Sequence, residues 1–362
     1  MKATRRPPRV PPLTRQNLHG VWAALILPWN DRDQVDLRRL AQEVRGYAGT
    51  GVHGVYTGGT TGEFYAQDDA TFEKITHTVV EQAHAVGLPV QIGATALSTA
   101  TTIGRIRVAK RAGADAVQLA LPFWLELKDD EVERYVAEAV AAAGRTPIVL
   151  YLTSRSKRKI GPALLGTLAA RHPTLLGTKD TGATLDEVKA MLAAAPDLAI
   201  FGGEDFYDRI PAGGRGGYCS VTGFNAPKVV ELYALCAGGR RVEAKPLADA
   251  VRRYVHEALI GPLAHEAGLW DSAIDRIQRV AGGGVVGLRC QSPYRSGTEQ
   301  HVRRLIAWVK KNAPELLPPH LAGGRQGVGN PLPPRHVHDP GARLPARARR
   351  STPPTDTSRR ST

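Results

Sequence analysis

Cysteine is scarce in this 362-residue chain: Cys219, Cys236 and Cys290 are the whole complement. They are odd in number, widely spaced and form no C-x-x-C pair, which argues against a disulfide framework and against a structural zinc site. The pattern fits a reducing compartment, and a cytoplasmic location is expected. Long apolar runs are missing as well, so nothing approaches the ~20 residues of a membrane span. The first apolar stretch, 21–27, is too short for a secretory signal core and is closed by Pro28. Arg5-Arg6 is followed by prolines where a twin-arginine signal needs an apolar segment.

Acids are absent from residues 1–15, where Lys2, Arg5, Arg6, Arg9 and Arg15 give +5, and sparse in 321–362, where eight arginines against Asp339 and Asp356 give +6. Of the formal net charge of +14, only +3 is left for the body, which is ordinary for an enzyme. Basic tails without interleaved aromatics are not a nucleic-acid motif, and no nucleic-acid or membrane partner is expected. Residues 1–19 and 319–362 are expected to be disordered. His336-Val-His338-Asp339 has metal-binding residue types but falls in the second tail, and no metal is expected.

What is present is a 42% hydrophobic content, enough for a large core. Strands are predicted over 21–27, 54–57, 90–94, 116–120, 148–151, 175–178, 198–201 and 217–221. Helices are predicted over 36–48, 68–85, 98–112, 129–143, 162–171, 185–194 and from about 205. Asp36 and Ser98 stand where N-caps belong, and Pro162 where a first helical turn tolerates a missing N–H. Continuously apolar strands, each followed by a helix, indicate a parallel sheet covered by helices. Eight such units over 20–226 fit a closed (β/α)8 TIM barrel. An open doubly wound sheet usually has a Gly-rich phosphate turn after its first strand; here Leu27-Pro-Trp-Asn30 stands there. Residues 227–318 read as a C-terminal helical extension, with helices over 228–237, 242–260, 270–280 and 297–312.

In such barrels the chemistry gathers at the carboxyl ends of the strands, and three ends offer it. Lys179 closes the sixth apolar run. A lysine there loses hydration, which disfavours the ammonium form and leaves an amine able to form an imine with a carbonyl. By itself it is more commonly a surface lysine just past a strand. Gly58-Gly-Thr-Thr-Gly-Glu63 carries two hydroxyls and backbone N–H groups suited to a carboxylate, or is simply a tight turn. Tyr151 could pass a proton near an imine, or pack its ring in the core.

Together the segments Gly59-Thr-Thr-Gly-Glu63, Gly113-Ala-Asp115, Val149-Leu-Tyr151, Gly177-Thr-Lys-Asp180, Gly217-Tyr-Cys-Ser-Val221 and Asn225-Ala-Pro227 carry a resemblance. The chain resembles the dihydrodipicolinate synthase / N-acetylneuraminate lyase family, pyruvate-dependent class I aldolases, over roughly residues 18–318. The resemblance implies an imine between Lys179 and the keto carbon of pyruvate or a related 2-oxoacid, with no cofactor. It implies that Tyr151 relays protons with support from the Thr60 hydroxyl. Thr61, Gly59 and neighbouring N–H groups would hold the substrate carboxylate, and the Cys219 carbonyl would line the site. An aldehyde-type co-substrate or product and a homodimer or homotetramer are also implied.

The chain departs from the synthase pattern. Pro122-Phe-Trp124 stands where the synthases have a tyrosine pair, and an indole N–H cannot replace a titrating phenol. After Tyr151 comes Leu152-Thr-Ser-Arg155, so Arg155 takes the carboxylate-binding arginine's role only with a shifted register. These departures point away from the diaminopimelate-pathway synthase. Trp124 is more reminiscent of hydratase-aldolases acting on aromatic or bulky partners. A dehydratase of a sugar-derived 2-oxoacid, and a non-catalytic 2-oxoacid-binding barrel, stay open beside it.

Overall fold

Strands that are apolar on both faces need helices outside and filled space inside. In the computed structural model, which describes residues 10–322, eight parallel strands close into a barrel in chain order. They are β1 (Gly20–Ala24), β2 (Gly54–Thr57), β3 (Val90–Gly93), β4 (Ala116–Leu119), β5 (Ile148–Tyr151), β6 (Leu175–Lys179), β7 (Ala199–Gly202) and β8 (Gly216–Cys219). The register pair Gly20 with Gly216 joins β1 to β8. Outside lie α1 (Leu37–Arg45), α2 (Asp69–Ala85), α3 (Thr99–Ala112), α4 (Asp129–Ala143), α5 (Pro162–Arg171), α6 (Leu185–Ala194), the short α7 (Phe206–Arg209) and α8 (Thr222–Ala237). Asp36 caps α1 and Ser98 caps α3 through side-chain oxygens, as expected.

The interior is aromatic at its centre. Trp22, Tyr56, Phe201 and Tyr218 pack there, with Tyr218 at 5.5 Å from Tyr56 and 5.2 Å from Phe201 between ring centroids. Leu13 and Leu18 close the floor beneath them. Arg15 pairs with Asp197 at 3.0 Å, and Arg215 donates to the carbonyls of Arg15 and Gln16. The second half of the segment expected to be disordered, residues 10–19, is therefore packed, because its two leucines complete the core. Residues 1–9 and 323–362, with the expected disordered tail and His336-Val-His338, lie outside the described residues.

Several boundaries differ from expectation, most by one or two residues and a few by more. β1 ends at Ala24, although Leu25, Ile26 and Leu27 are buried too, because burial and not ladder pairing makes that run apolar. Residues 228–237, expected to open the extension, belong to α8, which packs on β1 and β8 as the eighth barrel helix. Asn225 breaks that helix (φ −149°, ψ 85°), and its Oδ1 accepts from the Lys228 N–H at 3.3 Å. The extension proper begins with α9 (Arg241–Arg253), continues as a π-helical segment (Tyr254–Glu266), and ends with α10 (Asp271–Ala281) and α11 (Glu299–Asn312). The single helix expected over 242–260 becomes π-helical from Tyr254 onward, in a segment that also contains Pro262. Among the described residues no helix is long and apolar enough to cross a membrane.

Candidate active site

Tyr151 and Lys179 end β5 and β6 and are Cα partners, so both side chains leave the same face of the sheet. Lys179 is only 9% exposed. Its Nζ lies 4.2 Å from the Tyr151 ring centroid, 5.2 Å from that of Tyr56 and 5.3 Å from that of Tyr218. Three aromatic rings thus surround that nitrogen. Burial pushes the Tyr56 and Tyr218 phenols well above their ordinary range, so both stay neutral, and Tyr218 donates to Gln91 Oε1 at 2.7 Å.

The loop after β2 reaches this amine only because its backbone can pass close to its neighbours. Gly58 has φ +79° and lies against the Gly93 carbonyl, and a Cβ on Gly59 would collide with the Tyr56 hydroxyl. Glu63 ends the motif, fully buried and in the left-handed region at φ 46°. Its carboxylate pairs with the equally buried Arg276 of α10 and accepts from Trp29 Nε1 at 2.6 Å and the Gln291 N–H at 2.9 Å. Arg276 also donates to the Leu27 carbonyl at 2.7 Å. The Thr60-Thr61 turn is thereby clamped between the first strand's loop and the extension.

Two cavities meet at Tyr56, Thr60, Tyr151 and Asp271. The larger, about 530 Å³, contains Lys179 and Thr61 and is the more polar of the two, with Thr181, Glu204, Asp205, Asp275 and Ser220 on one wall and Val251, Val255 and Leu259 on another. Most of these carboxylates are engaged. Glu204 accepts from the Val221 N–H at 2.8 Å and Ser220 Oγ at 3.2 Å, Asp205 pairs with buried Arg209, and Asp208 pairs with Arg252. Burial pushes the Glu204 carboxyl upward. The smaller cavity, about 290 Å³, is aromatic, walled by Phe64, Tyr65, Phe123, Trp270 and Tyr294.

The expected residues are placed unequally. Lys179, Tyr151, Thr60, Thr61 and Gly59 all line one cavity or both. Arg155 lines the aromatic cavity but is paired with Asp271 of α10 at 3.0 Å. Trp124 lines neither and is 73% exposed with Lys157 over its ring; its neighbour Phe123 turns inward instead. Cys219 is fully buried, and its carbonyl accepts from the Thr222 hydroxyl at 2.6 Å, so Tyr218 and Ser220 form that wall. The contributions of the extension were missed. A signal was present: Asp271, Ile274, Asp275 and Gln278 recur with helical spacing, placing three polar residues on one face of α10. Among the described residues no group of three or more His, Cys, Asp or Glu is disposed to hold a metal ion.

Comparison with known proteins agrees with this geometry. The N-acetylneuraminate lyases of Salmonella paratyphi B and Salmonella typhimurium are each 32% identical over 208 residues, 56% of this chain and 69% of theirs. A prophage protein of the dihydrodipicolinic acid synthase family from E. coli K12, solved with pyruvate, superposes with a TM-score of 0.74 at 19% identity, covering 81% of this chain and 98% of that one. The Ruminococcus gnavus sialic acid aldolase gives 0.72 at 19% identity, covering 82% and 99%. These two likenesses show the fold. The model of the dihydrodipicolinate synthetase family matches residues 17–310, and the chain belongs to that family of Schiff-base-forming, pyruvate-dependent aldolases.

Proposed function

We propose that this lyase makes or breaks a C–C bond next to a 2-oxoacid through an imine on Lys179. The observation that carries the reading is the buried Lys179 amine, 4.2 Å from the Tyr151 ring, in the cavity that Thr60 and Thr61 also line. The Lys179 amine adds to the keto carbon of pyruvate or a related 2-oxoacid, and water leaves. In the cleavage direction Tyr151 takes the proton of the 4-hydroxyl, the C3–C4 bond breaks, and the electron pair flows into the protonated imine. The aldehyde departs, the enamine is protonated at C3, and hydrolysis returns the free lysine. The rings of Tyr56, Tyr151 and Tyr218 stabilise the cationic imine. The Thr60 hydroxyl supports the proton relay, and Thr61, Gly59 and nearby N–H groups hold the carboxylate.

The carboxylates and hydroxyls in the cavity around Lys179 support a polyhydroxylated aldehyde half, in keeping with the N-acetylneuraminate lyases among its relatives. Its wall of carboxylates disfavours a strongly anionic one. The aromatic cavity supports a second reading, a hydratase-aldolase with a flat apolar partner. A dehydratase would use the same lysine and lose water without releasing pyruvate. A cytoplasmic homo-oligomer is supported by three unpaired buried cysteines and by the exposed Trp124 and Leu125.

Borohydride trapping with a panel of 2-oxoacids, read by intact mass and peptide mapping, tests the reading. An adduct at Lys179 is expected, and none with any oxoacid defeats it. Pyruvate release from polyhydroxylated against aryl-substituted 4-hydroxy-2-oxoacids then separates the two partner classes; trapping with loss of water but no pyruvate marks the dehydratase, and trapping with neither leaves a binding protein.

A further inference from the structure

Thr61 Oγ1 lies 2.6 Å from Oδ2 of Asp275, a carboxyl that α10 inserts into the barrel mouth at 5% exposure. The other carboxyl oxygen accepts from Gln278 Nε2 at 3.2 Å, and Gln278 Oε1 accepts from the Tyr254 hydroxyl at 3.2 Å. Asp275 lines the same cavity as Lys179 and Thr61. An ionised Asp275 takes the one proton the Thr61 hydroxyl can donate, and it leaves lone pairs facing the place where a substrate carboxylate must sit. A hydroxyl is both donor and acceptor, so the conflict disappears when the carboxyl carries a proton.

We propose that Asp275 is a positioning carboxyl whose protonation turns the Thr61 hydroxyl toward the 2-oxoacid. Protonated, Asp275 donates to Thr61 Oγ1, and the Thr61 O–H is free to donate to the substrate carboxylate. Ionised, Asp275 captures that O–H and repels the incoming anion. Binding of the 2-oxoacid therefore takes up one proton from solvent at Asp275. The proposal rests on the reading of the Thr60-Thr61 loop as the carboxylate site.

The surroundings of Asp275 are mixed. Lys179 faces it from β6, Glu204 from the loop after β7, Asp271 from its own helix, Tyr254 from the π-helical segment and Tyr47 from the end of α1. On the same helix Arg276 is paired with Glu63 and Arg279 with Glu43, so neither is a free counter-ion for Asp275. Burial, more than the neighbouring acids, pushes the Asp275 carboxyl up to about 7, within the range where a cellular enzyme works.

The test is the 2-oxoacid concentration giving half-maximal borohydride-trapped adduct, measured from pH 6 to 8.5 with pyruvate. For the native chain it should rise about 30-fold over that range from this one proton, and in Asp275→Asn, whose amide donates to Thr61 at every pH, that component should vanish. Thr61→Val should weaken binding about tenfold or more below pH 7 and little at pH 8.5, while Thr61→Ser should restore the native profile. This second pair decides the matter even where Asp275→Asn fails to fold. Adducts with superimposable profiles in native and Asp275→Asn protein, or a Thr61→Val effect that is constant with pH, overturn the proposal and leave Lys179 as the imine residue. No adduct at any pH in the native chain overturns both.

Discussion

The Tyr151 ring centroid lies 4.2 Å from Lys179 Nζ because the two residues are register partners on adjacent parallel strands. Position in the barrel, not loop chance, brings phenol and amine together. Lys179→Ala should keep the circular dichroism spectrum and lose all trapped adduct. Unfolding would instead give the lysine a structural role. Tyr151→Phe should keep oxoacid binding and lower turnover by about 10²-fold or more, and unchanged turnover would remove the phenol from proton transfer.

The Glu63–Arg276 pair is fully buried and ties the Thr60-Thr61 turn to α10. Removing one partner strands the other charge in a dry interior. Glu63→Ala should therefore lower the urea-unfolding free energy by about 3–5 kcal/mol, with Glu63→Gln losing less because it still accepts from Trp29. A loss below about 1 kcal/mol would show that the clamp is not what holds this loop.

Beneath the barrel, His53 Nδ1 accepts from the Val21 N–H at 3.1 Å, and its ring packs edge-on to His19 and Tyr233. Burial first, and the neighbouring His19 second, push its pKa down to about 4. Between that value and 6.5 the unfolded chain binds more protons than the folded one, so stability is lost as pH falls through this window. With solvent screening of a partly exposed ring, roughly 1–2 kcal/mol should disappear by pH 4.5. Melting curves of His53→Gln should show a correspondingly flatter acid limb, and parallel curves would acquit His53.

Phe123 and Trp124 are sequence neighbours with opposite fates, one in the aromatic cavity and one in solvent. Phe123→Ala should raise KM for an aryl partner about tenfold, as expected for one lost ring contact, without changing adduct formation. Trp124→Ser should leave KM unchanged and, if this exposed face joins copies of the chain, lower the mass seen by sedimentation. The reverse pattern would return Trp124 to the site.

The barrel was legible because its signal is local. Each strand is a short apolar run, and each helix carries its own period and cap, as the agreement over Ile148–Tyr151, Pro162–Arg171 and Leu185–Ala194 shows. Departures came where burial and pairing part company, as at Leu25 to Leu27, or where a helix changes width along its length, as at Tyr254. Residues 10–19 depart from the expected disorder because two leucines in a basic, proline-containing stretch carry no period, yet they complete the barrel floor.

The sequence by itself determined the barrel, the strand-end position of Lys179 and Tyr151, and the Thr60-Thr61 turn, because these follow from contiguous residues. Only the tertiary structure decided what surrounds them. Contacts such as Thr61 with Asp275, Glu63 with Arg276, and Arg155 with Asp271 join residues more than a hundred positions apart. They depend on how the extension packs across the barrel mouth. Whether Phe123 or Trp124 faces inward depends on one turn of loop backbone, which the hydrophobicity of both residues leaves undetermined.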